Sequence, residues 1–208
     1  MEGPLGCRIV CISRSLGAGG EEVAHLVATS LGFRLVDDEI LARAAEKAGV
    51  TPETIEKVER SASLIDRILK YMGTAQGDPG FGAYIPPVVP ASESYEGLIT
   101  SVIRETAASG NVVILAHGAS FPLAGTEGLL RVLVTGSRET RAARMAAHGV
   151  DAAKARKQID ESDGQRRDYL QRFYDVRNEG PTHYDLVINT DIISPATAAG
   201  LIEAAARA

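Results

Sequence analysis

The chain has 208 residues, 45% of them hydrophobic and 24% charged, a balance that suits a single large domain with a well-buried core and leaves little length for a second full one. It opens without an apolar run of signal-peptide type, and no uninterrupted apolar stretch approaches the roughly 20 residues that span a bilayer, so a cytoplasmic protein with no membrane partner is expected. The formal charge of −5 argues against non-specific binding to nucleic acid, yet residues 138–177 hold 10 Lys and Arg against 7 Asp and Glu, and an anion site would draw on that segment.

Short β-branched runs alternate with helical patterns along the chain. The first run, RIVCIS (8–13), carries Cys11 four residues after Cys7, about 13 Å at strand rise, which is too far for a disulfide between them; both read as buried thiols. The strand leads into SRSLGAGGEE (13–22). Against the phosphate-loop pattern G-x-x-x-x-G-K-[ST], Arg14 falls on the first glycine, Gly19 on the second, Gly20 on the lysine and Glu21 on the hydroxyl residue. Glycines at 17, 19 and 20 let the backbone wrap around an anion, whose charge is met by N–H groups and by the positive end of the helix that follows. Ser13, Gly17, Ala18, Gly19 and Gly20 are therefore candidate phosphate contacts. Glu21 and Glu22 enter the first helical turn, where they either compensate the dipole or reach Mg2+, with Glu22 the candidate metal ligand. Arg14 either meets two phosphate oxygens or forms an ion pair with one of these glutamates.

The first helix is expected to bury Val23, Leu26, Val27 and Leu31 on one face and to stop at Gly32 as a left-handed cap. FRLV (33–36) reads as the second strand; Asp37 or Asp38 can N-cap the next helix, and Thr51 with Pro52 starts another. Residues 73–92 are crowded with glycine and proline and read as a mobile loop or lid. VVILA (112–116), LRVLVT (130–135) and YDLVINT (184–190) complete the strands, and Ser194 with Pro195 opens the last helix. This alternation implies an α/β fold, a parallel sheet with helices on both faces. The sequence has neither a Cys/His zinc spacing nor a Ser/His/Asp pattern.

The stretch ISRSLGAGGEEVAHLVATSLGFRLVDDEIL resembles the opening of the cytidylate kinase-like family, P-loop nucleoside monophosphate kinases whose loop typically reads S-R-x-x-G-[SA]-G-G without lysine. VVILAHGAS, VTGSRETRAARM, DESDGQRRDYLQRFY and YDLVINTD are similar to later family motifs and occur in the family's order. The resemblance covers most of the chain and is weakest over residues 51–100. It implies a P-loop NTPase-type three-layer fold: a single domain over residues 1–208 with a five-stranded parallel sheet, a nucleotide-binding insert at 51–110 that includes the loop 73–92, and a lid at 150–178.

By the same resemblance Asp37 lies near the acceptor nucleotide, its other reading being the N-cap. Arg141 and Arg144 match arginines placed by the phosphates, and Arg138, without a match, reads as a solvated surface residue. Asp163 and Arg166 match the lid's D-x-x-R; at i and i+3 they could instead pair locally. Asn189, Thr190 and Asp191 match the N-T-D beside the donor base, or simply end a strand. Where the family commonly has G-R-G after the third strand, this chain has Ala116, His117 and Gly118, so a histidine takes the place of an arginine that grips the acceptor phosphate. The implied activity is ATP- and Mg2+-dependent phosphoryl transfer to a nucleoside monophosphate, CMP or dCMP first, with Arg14, Arg141, Arg144, Asp163 and Arg166 as the catalytic set. Such a reaction needs alignment and charge neutralisation more than a side-chain base. A nucleotide-binding regulatory protein of the same fold, or a kinase of another small acceptor, are the alternatives. The expected partners are nucleoside mono- and triphosphates.

Overall fold

The computed structural model describes residues 6–53, 55–56 and 95–208. The elements, in chain order, are β1 (Ile9–Arg14), α1 (Gly20–Leu31), β2 (Arg34–Val36), α2 (Glu39–Ala48), α3 (Tyr95–Ala108), β3 (Val112–Leu115), β4 (Leu129–Thr135), α4 (Arg138–Ala147), α5 (Ala152–Tyr174), a 3-10 turn (Pro181–His183), β5 (Leu186–Asn189) and α6 (Pro195–Arg207). Each strand falls within about two residues of its expected limits, and Pro52 begins a helical stretch as read. The loop expected at 73–92 lies outside the described residues. The chain folds as two compact units, Met1–Asp37 with Ile103–Ala208, and Asp38–Val102.

The five strands are parallel and ordered β2-β3-β1-β4-β5, with Ile9 of β1 opposite both Val112 of β3 and Leu129 of β4. After β1 the chain builds outward on one side, through β2 and back to β3, then crosses to the other side for β4 and β5. The order reverses at β1, and in open parallel sheets the crevice at the carboxyl ends of the strands beside such a reversal is where ligands bind. The loop after β1 therefore sits at the switch point.

Alternation along the strands sends Val10, Ile12, Val113, Leu115, Val132 and Val134 into one core with Val23 and Val27 of α1 and Ala198 and Ile202 of α6. Leu26 departs from the expected face and is 37% exposed. At about 100° per residue, Val23, Val27, Leu31, Ala24 and Ala28 fill an arc of roughly 140°, and Leu26 falls some 60° outside it. The two alanines take the share that was assigned to the leucine. Gly32, at φ 67°, ends α1 and donates its N–H to Ala28 and Thr29. Asp37 is not the N-cap of α2: Asp38 holds that position, in helical geometry and without a side-chain cap bond. Ser194 caps α6 as expected, accepting from the Thr197 N–H. Cys7 and Cys11 are free and buried, and burial raises both thiols above their ordinary range.

Candidate functional site

The turn after β1 is fastened on its outer side. The Ser15 N–H donates to Val134 O at 3.0 Å, and the Ala18 N–H to Ser15 O at 3.0 Å. Two α4 arginines hold the carbonyls between them: Arg144 Nη1 reaches Gly17 O at 2.8 Å and Arg141 Nη1 reaches Leu16 O at 3.3 Å. In a trans peptide the N–H points opposite to the C=O. Turning the Leu16 carbonyl outward to a guanidinium therefore turns the Gly17 N–H to the other side of the loop. The N–H groups of Gly17, Gly19, Gly20 and Glu21 make no backbone hydrogen bond among the described residues, whereas the Ala18 N–H is committed to Ser15. This is a cradle of donors at the N-terminal end of α1, the arrangement that meets an anion.

Gly17 and Gly19 have φ of 79° and 80°, and a Cβ on Gly17 would lie 2.9 Å from Arg141 O. Gly20, the first helical residue, is glycine for a different reason: a Cβ there would overlap the Arg14 Cβ, with Arg14 Cγ only 3.0 Å and Cδ 3.4 Å away. The Arg14 side chain lies along the helix end, its Nε 2.5 Å from Glu21 Oε1. Of its two sequence readings, the pair with Glu21 is the contact observed. Glu22 is exposed. Ser13 is buried at the end of β1.

The remaining predicted residues fall into three groups. Arg141, 6% exposed, makes a bidentate pair with Asp163 at 3.0 and 2.7 Å, and one helical turn away Arg138 does the same with Asp160 at 2.6 and 2.5 Å. These pairs form a ladder between α4 and α5. Asp163 and Arg166 are not each other's partner, as a local i, i+3 pair would require: Arg166 donates to Glu179 at 2.8 and 2.6 Å and to the Tyr184 hydroxyl at 3.1 Å. The Tyr184 hydroxyl donates to Glu179 in turn. Burial works against both charges, and the mutual hydrogen bonds outweigh it, so Arg166 is held above and Glu179 below its ordinary value; burial pushes the Tyr184 phenol up to about 12.

Thr190 is a clamp in the second group. Its hydroxyl lies 2.9 Å from Ala18 O and 3.0 Å from Thr135 O, and its carbonyl accepts from Arg144 at 3.0 Å, so Arg144 ties the loop after β1 to the end of β5. Asn189 accepts from the Asp191 N–H at 2.9 Å, and Asp191 accepts from the Ser137 N–H at 2.7 Å, a bond that lowers its carboxyl below the ordinary range.

The third group surrounds His117. Ala116, His117 and Gly118 all have positive φ, 66°, 53° and 59°, and the first two are strained there. The hydroxyls of Tyr169 and Tyr174 hold this turn by donating to His117 O at 2.8 and 3.2 Å. The imidazole is buried, with Nε2 3.7 Å from Asp37 Oδ1. Thus the structure brings His117 and Asp37 together, one strand removed from the glycine loop.

Sequence reasoning did not find Glu179, Tyr184, Tyr169, Tyr174 or Asp160. One signal was present: of 4 Phe and 6 Tyr in the chain, Phe121, Tyr169, Phe173, Tyr174 and Tyr184 share ring contacts in this one cluster. No group of three His, Cys, Asp or Glu that could hold a metal occurs among the described residues. Mg2+ fits such a site through one carboxylate together with phosphate oxygens of a substrate, and Glu21 and Glu22 stand in the first turn of α1.

A strand-ending glycine loop at the switch point of a five-stranded parallel sheet defines the fold of P-loop kinases. An uncharacterized protein from Eubacterium ventriosum superposes with TM-score 0.63 at 19% identity, covering 94% of this chain and 95% of that one. A shikimate kinase from Bacteroides thetaiotaomicron does so with TM-score 0.50 at 14% identity over 95% and 97%, and a sugar kinase from Janibacter sp. with 0.51 at 12% over 94% and 92%. The family model of the cytidylate kinase-like family matches residues 9–192, and the chain belongs to that family. No curated protein matches it. No helix among the described residues is long and apolar enough to cross a membrane.

Proposed function

We propose that this chain transfers the γ-phosphoryl group of ATP to a nucleoside monophosphate, with CMP or dCMP the first acceptors to test. The observation that carries the reading is the donor cradle of Gly17, Gly19, Gly20 and Glu21, backed by Arg141 and Arg144, in a member of the cytidylate kinase-like family. ATP with Mg2+ supplies the transferable group. The loop N–H groups bind its phosphates and Arg14 adds positive charge beside them, while Ser13 and Ala18 shape the turn. Arg144 and Thr190 keep the carbonyls facing outward, so their contribution is made through the loop. Arg141 with Asp163, and Arg166 with Glu179, supply guanidiniums that are already oriented by carboxylates, and a phosphate with more charge can displace either partner. Glu22 is the proposed Mg2+ ligand, and Asp37 and His117 face the acceptor.

Incubating the protein with ATP, Mg2+ and a panel of monophosphates, then measuring ADP, tests this directly. Stimulation by CMP or dCMP above the ATP-only rate is expected; a panel without any effect would remove the acceptor assignment. One observation favours a second reading, a kinase of a small hydroxyl acceptor: the His117 imidazole is buried 3.7 Å from Asp37 Oδ1, and it lacks the permanent charge and forked donors with which arginine grips a phosphate dianion. A carboxylate backed by imidazole is suited to accept a hydroxyl proton. Sugars and polyols therefore belong in the same panel.

A further inference from the structure

We infer that Arg14 and Gly20 have exchanged the roles that glycine and lysine hold in a lysine-bearing phosphate loop, so that the loop's cation arrives from the end of β1 instead of from the start of α1. This rests on the phosphate-binding reading of the loop. In the pattern G-x-x-x-x-G-K-[ST] the small residue stands at the position of Arg14 and the cation at the position of Gly20; here both are inverted. The structure gives the reason they must change together. A Cβ on Gly20 overlaps the Cβ of Arg14, and the next two carbons of Arg14 follow at 3.0 and 3.4 Å. An obstruction at Cβ is fixed to the backbone and no rotamer removes it. Only one of the two positions can carry a side chain, and the Arg14 stem occupies the space through which a side chain at 20 would leave the helix. The guanidinium is thereby brought to the N-terminal end of α1, where the helix's own partial positive charge disfavours a cation unless an anion joins it. Glu21 is that anion in this structure, with its Oε1 2.5 Å from Arg14 Nε. A bound phosphate would take its place.

The test has one arm that needs no ligand. In a stability cycle of Gly20→Ala, Arg14→Gly and the double variant, Gly20→Ala alone should lower Tm by about 3–10 °C, and most of that loss should vanish when Arg14 is glycine. Additive losses would overturn the exclusion. In the second arm calorimetry measures ATP affinity. Arg14→Ala should weaken it about 10- to 150-fold, the range for one charge-assisted hydrogen bond. Arg14→Ala/Gly20→Lys should stay weak because alanine keeps the obstructing Cβ, whereas Arg14→Gly/Gly20→Lys should return to within about tenfold of wild type. Unchanged affinity in Arg14→Ala, or equal recovery in both lysine variants, would overturn the exchange. If the wild-type protein binds no nucleoside triphosphate, the phosphate reading itself falls, and the stability cycle still decides whether the two positions exclude each other.

Discussion

The two sides of the sheet's carboxyl edge are built on different principles. Around the glycine loop, α4 and β5, order is set by arginines: Arg141 and Arg144 on loop carbonyls, Arg138 and Arg141 on the carboxylates of α5. Around Asp37 and His117 it is set by a left-handed turn that two tyrosine hydroxyls hold by one carbonyl. A region held by many charge-assisted bonds tolerates the loss of one better than a region whose strained backbone is packed closely under two aromatic rings. The two sides should therefore respond differently to substitution.

Gly118 should give the largest effect. A Cβ there would meet the Tyr174 ring at 2.7 Å and the Tyr169 ring at 3.0 Å, on a backbone at φ 59°. Left-handed strain and overpacking together predict that Gly118→Ala costs about 3 kcal/mol, read by denaturant unfolding. A loss near zero would mean that the tyrosines retreat freely and that this side is not rigidly held. Arg141→Ala, on the arginine side, should cost about 2 kcal/mol because it leaves Asp163 and Leu16 O without their partner. Asp163→Asn, which keeps the shape and one acceptor, should cost less. The reverse order would contradict the ladder between α4 and α5.

His117→Arg sharpens the acceptor side and should have a smaller effect, about tenfold or less on KM for a phosphate-bearing acceptor. A lower KM would place the side chain at the acceptor phosphate. An unchanged KM, with Asp37 still 3.7 Å or less from the new guanidinium, would show that the added charge is spent on Asp37.

The sequence made the arginine side more legible than the tyrosine side, and the reason is periodicity. β-branched runs located all five strands because buried parallel strands are nearly continuous in apolar residues, and the glycine turn was legible because positive φ and close approach admit few other residues. Arg141 and Arg144 were found by motif, but their partners were not. Leu16 O and Gly17 O are backbone atoms, which no side-chain pattern reveals. For Arg166 the i, i+3 spacing offered a local pair with Asp163 only as the alternative to a lid role, and its actual partner, Glu179, lies 13 residues on, where its carboxylate meets the guanidinium at two points in a buried setting. The strain at Ala116 and His117 was not legible at all, since neither residue type signals a left-handed backbone.

Acid should give the smallest effect, and it distinguishes the two sides through ionic pairing. Glu179 is held below its ordinary value of 4.5, against the burial that would raise it, by its hydrogen bonds to Arg166 and Tyr184. A carboxyl lowered in the folded state contributes stability that is complete above its unfolded value and is lost as pH falls toward the folded one. Wild-type stability should therefore decline as pH drops below about 4.5, and Glu179→Gln, less stable at neutral pH because Arg166 loses its partner, should decline less over the same window. Asp160 and Asp191, both exposed and screened, and Asp185, paired with Arg131, are lowered too, but they are common to both proteins, so the difference between the two profiles should belong to Glu179. Unfolding curves for both proteins at several pH values decide it. Parallel pH profiles would show that the Arg166 pair contributes nothing that titrates, and that the acid sensitivity of the fold lies elsewhere.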